Sequence, residues 1–304
     1  MNTADTDSTG HVSPFDAWIL AVRPKTLPAS ISPVVIGIAA ALFDNQFAAL
    51  PALASMAAAM LLQIGVNLAN DYFDYQKGID TAARLGPVRV TQSGLIAPKR
   101  VKQAMITSLL SAALVGLYLL KVAGWPVLII GIVSILAALA YSGGPYPLAS
   151  HGMGDIFVFI FFGPVAVCGT YYVQALQLTR HVVWLSVPIG LLITAIIVVN
   201  NLRDISTDTG SGKKTLAVIL GVRRTRLEFV ALLAGAYGTT VALYLYAKFS
   251  GWVLLPLLSL PVSILLLLSV HRNEGALLNR TLAQTAALAL FYSLLLAAGL
   301  LISA

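Results

Sequence analysis

The chain has 304 residues, of which 58% are hydrophobic and 10% are charged, and its formal net charge is +7. Soluble domains carry about 25% charged residues and about 45–50% apolar ones, so this composition excludes a soluble globular domain. The mean hydropathy of +0.87 and long apolar runs, such as residues 187–199 and 254–270, predict an all-α protein that crosses the membrane many times.

Nine apolar segments of membrane-spanning length follow a polar N-terminal stretch. Residues 1–17 lack an early basic cluster and are predicted to be a disordered tail, and residues 18–304 are predicted to form a single transmembrane domain. Pro24, Pro28 and Pro33 predict a kink near the start of the first span. The predicted spans are 18–42, 47–69, 103–120, 125–141, 155–176, 182–201, 228–247, 252–270 and 283–303.

The basic residues are distributed unequally between the two sides of the predicted membrane. Sixteen of the nineteen Lys and Arg residues fall on the side that holds the N-terminus, and only Lys121, Arg180 and Lys248 fall on the other side. Cytoplasmic loops carry the excess of Lys and Arg, which places the N-terminus in the cytoplasm. The positive charge therefore requires no nucleic-acid partner, and it favours anionic lipids or an anionic substrate.

Two polar clusters stand at the cytoplasmic ends of predicted spans two and six. In each cluster an Asn is followed four residues later by an Asp, and a second Asp follows on the same helix face. This repetition, four spans apart, suggests an internal repeat of a four-helix unit. The first cluster consists of Asn67, Asn70, Asp71, Asp74 and Asp80, of which 67, 71 and 74 share one face, and the second consists of Asn200, Asp204 and Asp208.

Such clusters have a chemical explanation as a metal site. Carboxylates on one face repel each other and are costly near a membrane, unless a cation neutralises them. Oxygen ligands without His or Cys favour Mg²⁺ or Ca²⁺ over zinc, and Mg²⁺ binds one or two carboxylates together with phosphate oxygens. Two facing clusters could hold a diphosphate through Mg²⁺. The alternative is a pair of solvated helix ends, where Asp and Asn act as caps.

Lys and Arg residues surround both clusters, which suits a metal-bound polyanion because both partners need charge complements. Arg203 is adjacent to Asp204, so its side chain either faces the site or points away from it. Lys213 belongs to the surrounding basic residues. The candidates for binding the diphosphate are Lys77, Arg84, Arg89, Arg203 and Lys214.

Four further polar residues near the same membrane face have two possible roles each. Tyr141 ends predicted span four, where it could orient a diphosphate or belong to the interfacial aromatic belt. Asp155 begins predicted span five, where it could interact with the helix dipole or contact an aromatic substrate. Arg23 and Lys25 could attract a substrate carboxylate or anchor the topology.

The two clusters also resemble known motifs. The segments NDYFD (70–74), with Asn67 before it, and NNLRDISTD (200–208), followed by GKKTLAVILG, resemble the two aspartate-rich motifs of the UbiA superfamily of intramembrane aromatic prenyltransferases. The segments RPKTLPASISPVVIG, GPVRVTQSGL, YSGGPYPL and GMGDIFVFIFFGPVAVCGTYY are similar to the branch that prenylates 1,4-dihydroxy-2-naphthoate on the menaquinone pathway. Many members place a third acid four residues after the second, where this chain has Gly78; Asp80 follows two residues later, and its role stays open.

The resemblance implies nine helices around a central cavity in a bacterial cytoplasmic (inner) membrane, with the site facing the cytoplasm. It implies Mg²⁺-dependent transfer of a polyprenyl group from polyprenyl diphosphate to 1,4-dihydroxy-2-naphthoate, with loss of the carboxylate, to give demethylmenaquinol. The alternatives are another acceptor, such as 4-hydroxybenzoate or homogentisate, and a membrane transporter, whose site is expected near the midplane. The implied metal ligands are Asp71, Asp74, Asp204 and Asp208, with Asn67 and Asn200 binding metal or phosphate oxygen.

Overall fold

The computed structural model describes residues 12–78, 85–247 and 249–304, and within these ranges the protein is all-α. Nine helical segments in the described part are long and apolar enough to cross a membrane, which confirms the predicted number. In chain order, spans 1 to 9 are Pro14–Phe43, Ala49–Gln76, Pro98–Ala123, Trp125–Ser142, Gly154–Ala175, Arg180–Gly210, Leu216–Tyr246, Gly251–Arg272 and Gly275–Ser303.

The helix of span 1 begins earlier than the composition indicates. It starts at Pro14, and the Ser13 hydroxyl accepts a hydrogen bond from the Asp16 N–H at 3.1 Å. Ser at the N-cap followed by Pro at the first helical position is a favourable helix start. The tail predicted for residues 1–17 is therefore corrected at its end, because residues 14–17 are helical; residues 1–11 lie outside the described residues.

Span 1 is interrupted, as its prolines predict. A helix at Pro14–Val22 is followed by a 3-10 turn at Pro24–Thr26 and a second helix at Leu27–Phe43. Arg23 joins them in the left-handed region with φ 57°. The interruption frees the Val22 carbonyl from the helical hydrogen-bond pattern, so a side chain from elsewhere must supply the donor.

Span 7 is longer than predicted because charged residues continue its helix beyond the apolar segment. It begins at Leu216 rather than at residue 228, and Gly221, with φ 74°, bends its first turns. Arg223, Arg224 and Arg226 occupy this extension. Long cationic side chains at a helix end can reach the membrane interface, so hydropathy alone places the start of the helix too late.

Span 6 lies at the centre of the bundle. It packs against spans 1, 5, 7 and 9, and span 9 also packs against span 1. Its side chains, including Leu185, Ile189 and Leu192, belong to the largest buried apolar cluster. The most extensive helix contacts are between spans 2 and 3 and between spans 6 and 7, as expected for the suggested four-helix repeat.

Span 5 crosses span 6 closely because glycines meet at the contact. Its helix Gly154–Ile160 continues through a π-helical turn at Phe161–Val165, which accommodates Pro164, into a helix at Ala166–Ala175. A Cβ added to Gly163 would lie 3.0 Å from Gly190 Cα of span 6. This crossing fixes the first turn of span 5 relative to the polar end of span 6.

Replacing Gly163 by Ala is expected to lower the free energy of unfolding by about 1–3 kcal/mol. The added Cβ would lie 3.0 Å from Gly190 Cα and 3.1 Å from Ser186 O, and both are backbone atoms that cannot rotate away. Thermal unfolding of the purified variants in detergent measures the effect.

Gly169→Ala on the same span is the matched control. The nearest atom to its added Cβ is Ile130 Cδ1 at 3.9 Å, so the better helix propensity of Ala should stabilise the protein by up to about 1 kcal/mol. Equal shifts for the two variants would contradict a close backbone crossing at Gly163.

Candidate active site

The two polar clusters meet at one end of the bundle, across a lysine. The Lys213 ammonium lies 3.8 Å from Asp74 Oδ2 of span 2 and 3.9 Å from Asp208 Oδ1 of span 6. Both carboxylates are buried, so their mutual repulsion is poorly screened by water. One cation shared between them offsets this repulsion, and the structure therefore joins the two clusters into one site. This region is called the polar end below.

Asp74 is paired with a second cation. Arg89, which is buried, donates from Nη2 to Asp74 Oδ2 at 2.9 Å. Lys77, one turn beyond Asp74, donates from Nζ to the Ser142 carbonyl at the end of span 4 at 2.6 Å. Partial desolvation lowers the pKa of Lys77; the carboxylate of Asp74 opposes this shift and the charge of Lys213 adds to it. Lys77 therefore releases its proton at a lower pH than a free lysine.

Asp71 holds the segment that follows the first cluster. Its Oδ2 accepts from the Val90 N–H and its Oδ1 from the Thr91 N–H, both at 3.1 Å. Two consecutive backbone donors on one carboxylate form a charge-assisted anchor. This anchor sets the position of Arg89, which immediately precedes the anchored pair. Backbone donors carry no signature in the sequence, so these partners could not be predicted.

Arg203 belongs to a buried network and not to the membrane surface. Its guanidinium binds Asp204 through both Nε and Nη2, and Nη2 also donates to Asn200 Oδ1 at 2.9 Å. Its Nη1 donates to Asn279 Oδ1 at 2.8 Å, and Asn279 Nδ2 donates to the Leu85 carbonyl at 2.8 Å. Arg203, predicted as a diphosphate ligand, is thus held by protein groups and positions Asp204. Asn279 of span 9, which no sequence pattern indicated, connects Arg203 to the segment after span 2.

Asn67 supports the interruption in span 1. Its Nδ2 donates to the Val22 carbonyl at 2.8 Å and to Thr26 Oγ1 at 3.0 Å, and its Oδ1 faces Gln63 Nε2 at 3.4 Å. The freed carbonyl of span 1 thereby gains its donor. Asn67 and Asn200 were both predicted to bind metal or phosphate, and in the structure both contact protein groups that shape the polar end.

Lys213 lies near the two carboxylates, whereas the neighbouring Lys214, which was predicted to bind the diphosphate, has an exposed side chain. Gly212, with φ 75°, turns the chain just after span 6 and directs Lys213 back between the two carboxylates. The side chain of Lys214 is exposed, and its backbone N–H donates to the Ser150 carbonyl at 3.0 Å. That hydrogen bond joins the segment after span 6 to the segment after span 4.

Tyr141, at the end of span 4, and Asp155, at the start of span 5, lie next to the two clusters. A Cβ added to Gly154 would lie 3.3 Å from the Tyr141 hydroxyl, so the end of span 4 and the start of span 5 touch there. Tyr141 interacts electrostatically with Asp155, Asp74 and Asp208. Both residues therefore belong to the polar end, and the two roles considered for each stay predictions.

The remaining predicted residues lie in the interruption of span 1 or outside the described residues. Lys25 is exposed in the 3-10 turn of span 1, and Arg23 is half-buried beside it. Both lie in the interruption that is hydrogen-bonded by Asn67. Arg84 and Asp80 lie outside the described residues.

The oxygen donors at the polar end fit a magnesium ion that is shared with phosphate. Among the described residues, no three His, Cys, Asp or Glu side chains converge as a closed metal cage. Magnesium needs only one or two carboxylates when substrate phosphates supply other ligands, and Asp74 and Asp208 form such a pair around Lys213. Cations and carboxylates together suit a metal-bound polyanion.

These features describe an integral membrane protein in which acidic and basic side chains converge at one end of a helical bundle. A family comparison gives its class. The model of the UbiA prenyltransferase family matches residues 30–295. The chain belongs to this family. The transporter alternative is thereby set aside, and the resemblance of the two motifs is confirmed.

Several similar proteins share one name, 1,4-dihydroxy-2-naphthoate octaprenyltransferase. The protein of Escherichia coli K12 is 38% identical over 96% of this chain and 97% of its own length. The protein of Mycobacterium tuberculosis is 42% identical over 82% of this chain and 84% of its own. The protein of Bacillus subtilis is 33% identical over 94% and 92%, respectively.

Solved structures share the fold. A UbiA homologue from Aeropyrum pernix K1 superimposes with a TM-score of 0.69 at 17% identity, covering 92% of this chain and 98% of that one. A UbiA homologue from Archaeoglobus fulgidus, bound to GPP and Mg²⁺, gives a TM-score of 0.65 at 14% identity, covering 93% and 99%.

Asn279→Leu is expected to destabilise the protein by about 1–3 kcal/mol. The apolar side chain would leave Arg203 Nη1 and the Leu85 carbonyl without the partner that each has now. The measurement is thermal unfolding in detergent.

Gln284→Leu on the same span serves as control, because Gln284 is exposed and such substitutions change stability by about 0.5 kcal/mol or less. A destabilisation of Asn279→Leu no larger than that of the control would show that the network is energetically unimportant.

Proposed function

We propose that this protein transfers a polyprenyl group from polyprenyl diphosphate to 1,4-dihydroxy-2-naphthoate. The observation that carries the proposal is the convergence of Asp74 and Asp208, from two distant spans, on the single ammonium of Lys213. A mixed site of this kind binds a metal-bridged diphosphate. The choice of acceptor is supported by relatives with 33–42% identity that carry the name of the naphthoate enzyme.

Asp74 and Asp208 are the proposed principal ligands of Mg²⁺. Asp71 and Asp204 have carboxylate oxygens already engaged by the Val90 and Thr91 N–H groups or by Arg203, and their remaining lone pairs can bind the metal directly or through water. Bound there, Mg²⁺ supplies positive charge that stabilises a leaving diphosphate. The Archaeoglobus fulgidus homologue, whose structure is bound to GPP and Mg²⁺, supports this proposal.

The cations around the carboxylates bind the diphosphate oxygens. Lys213 and Arg89 lie against Asp74, and Lys77 lies within electrostatic range of it, so these groups surround the same point. As the allylic C–O bond breaks, they stabilise the negative charge that develops on the leaving group. Tyr141, close to both Asp74 and Asp208, orients the same group.

The acceptor attacks through the ring carbon that bears the carboxylate. The new C–C bond forms between this carbon and the allylic carbon, and carbon dioxide leaves, which gives demethylmenaquinol. Arg23 lies beside the interruption of span 1, which Asn67 ties to span 2. This position suits attraction of the acceptor carboxylate by Arg23 and Lys25.

The site faces the cytoplasm of a bacterium and the protein resides in the cytoplasmic membrane. Support comes from the basic residues that flank the polar end, since positive residues accumulate on the cytoplasmic side. A prenyl chain dissolves only in the bilayer and its diphosphate only in water, so a site at the membrane edge serves both.

The proposed function is tested by incubating purified protein with a polyprenyl diphosphate, Mg²⁺ and an equimolar mixture of 1,4-dihydroxy-2-naphthoate and 4-hydroxybenzoate. Mass spectrometry should detect prenylated naphthoquinol without the carboxylate, and EDTA should abolish it. Asp74→Asn should reduce kcat/KM at least about 100-fold, whereas Glu274→Gln, at an exposed acid, should not. Prenylated hydroxybenzoate as the main product would overturn the choice of acceptor.

Lys213→Met and Lys214→Met separate the two adjacent lysines. Loss of the Lys213 charge should raise KM for the prenyl diphosphate about tenfold or more, because a charge-assisted contact at a buried site is lost. Loss of the exposed Lys214 charge should change KM by about twofold or less. Steady-state kinetics on both variants tests this, and a larger effect at Lys214 would contradict the assignment.

A further inference from the structure

One buried carboxylate at the polar end lacks the pairing that the four motif aspartates have. Asp155, in the first turn of span 5, is 5% exposed, and its Oδ2 has no hydrogen-bond partner among the described residues. Native proteins rarely leave a buried polar atom unsatisfied, and the penalty is greatest for a charged group. Thr91 and Gln63 also contain buried oxygens without a partner in this part of the chain, but these are neutral. Asp155 is therefore the strongest indication of a missing hydrogen-bond donor.

The surroundings of Asp155 indicate where that donor belongs. Tyr141 touches the start of span 5 and interacts electrostatically with Asp155 and with Asp74 and Asp208. Glu228 of span 7 lies within electrostatic range of Asp155 on span 5. Asp155 thus stands beside the proposed diphosphate site, and the ionisable groups that interact with it electrostatically are an acid and a phenol. In the proposed function the metal cation binds at Asp74 and Asp208 and not at Asp155. The donor that Asp155 lacks is therefore best supplied by a neutral group of a substrate, such as a hydroxyl.

We propose that Asp155 is a catalytic residue whose Oδ2 binds the acceptor hydroxyl ortho to the carbon that is prenylated, and accepts its proton as the C–C bond forms. This inference rests on the proposed function, in which the acceptor is 1,4-dihydroxy-2-naphthoate. Its 1-hydroxyl is adjacent to the ring carbon that bears the carboxylate. A positioned carboxylate acting as a general base contributes about 10²–10⁴-fold to rate.

The proton transfer balances without an added reagent. When the 1-hydroxyl loses its proton to Asp155, the oxygen becomes a ketone and its electrons pass through the ring to form the new C–C bond, while the allylic C–O electrons leave with diphosphate. The ring carbon then carries the prenyl group and a carboxylate beta to the ketone. This β-keto carboxylate loses carbon dioxide, the electrons return to the oxygen, and Asp155 gives the proton back. The step is thus neutral in protons overall.

The test compares the wild-type protein and Asp155→Asn with two acceptors, the 1-methyl and the 4-methyl ether of 1,4-dihydroxy-2-naphthoate. The ethers are similar in size, but only the 4-methyl ether retains the ortho proton. In wild type, the 1-methyl ether should react at least about 100-fold more slowly than the 4-methyl ether. In Asp155→Asn, turnover of the parent acceptor should fall by a similar factor, and the difference between the ethers should shrink to about threefold or less.

Binding of geranyl diphosphate with Mg²⁺ should be unchanged in Asp155→Asn within about twofold, which shows that the variant is folded and that its defect lies at the acceptor. Normal turnover by Asp155→Asn, or an equal penalty for the 1-methyl ether in both proteins, would overturn the role of Asp155. If the variant does not fold, equal rates for the two ethers in wild type overturn it. Absence of product from the parent acceptor in wild type would instead overturn the proposed function.

Discussion

Carboxylates that are buried at the end of an apolar bundle repel one another, and the arrangement of the polar end follows from this constraint. Each acid of the two motifs is held by a cation or by backbone donors. Asp74 contacts Arg89 and Lys213, Asp208 contacts Lys213, Asp71 accepts from two backbone N–H groups, and Asp204 contacts Arg203. Arg89 and the N–H groups belong to the segment after span 2, Lys213 belongs to the segment after span 6, and Arg203 lies in span 6 and is tied to span 9 through Asn279. The contacts that neutralise the acids therefore also connect the ends of different spans. The candidate site and the tertiary fold depend on the same contacts.

The sequence predicts the architecture well because hydropathy is a long-range signal that single residues hardly disturb. Among the described residues, nine spans and the interruption near Pro24 are confirmed. Helix ends are less predictable: Arg223 and its neighbours lower the hydropathy of span 7 without ending its helix, and the cap at Ser13 extends span 1 into a polar segment. These ends depend on capping and on long side chains reaching water, which hydropathy does not describe.

The acids and most of the basic residues of the candidate site were predictable from the sequence, but the contacts between them were not. The repeated Asn and Asp spacing marks Asp74 and Asp208 because helical periodicity places the polar residues of each motif on one face of a span end. The position of Lys213, rather than Lys214, near the two carboxylates depends on the turn at Gly212. The hydrogen bond between Asn279 and Arg203 depends on how span 9 packs. A single Asn in an apolar helix and a backbone N–H have no distinctive pattern, so only the three-dimensional arrangement reveals them.

The central claim is that one Mg²⁺-bound diphosphate is held jointly by the motifs of spans 2 and 6. It is tested most directly by titrating geranyl diphosphate into the wild-type protein, Asp74→Asn, Asp208→Asn and the double variant, with and without Mg²⁺. We expect Mg²⁺-dependent binding that weakens about tenfold or more in each single variant and little further in the double variant, as for groups that act on one ligand. Binding that is independent of Mg²⁺, or that is lost through only one of the two motifs, would contradict the claim.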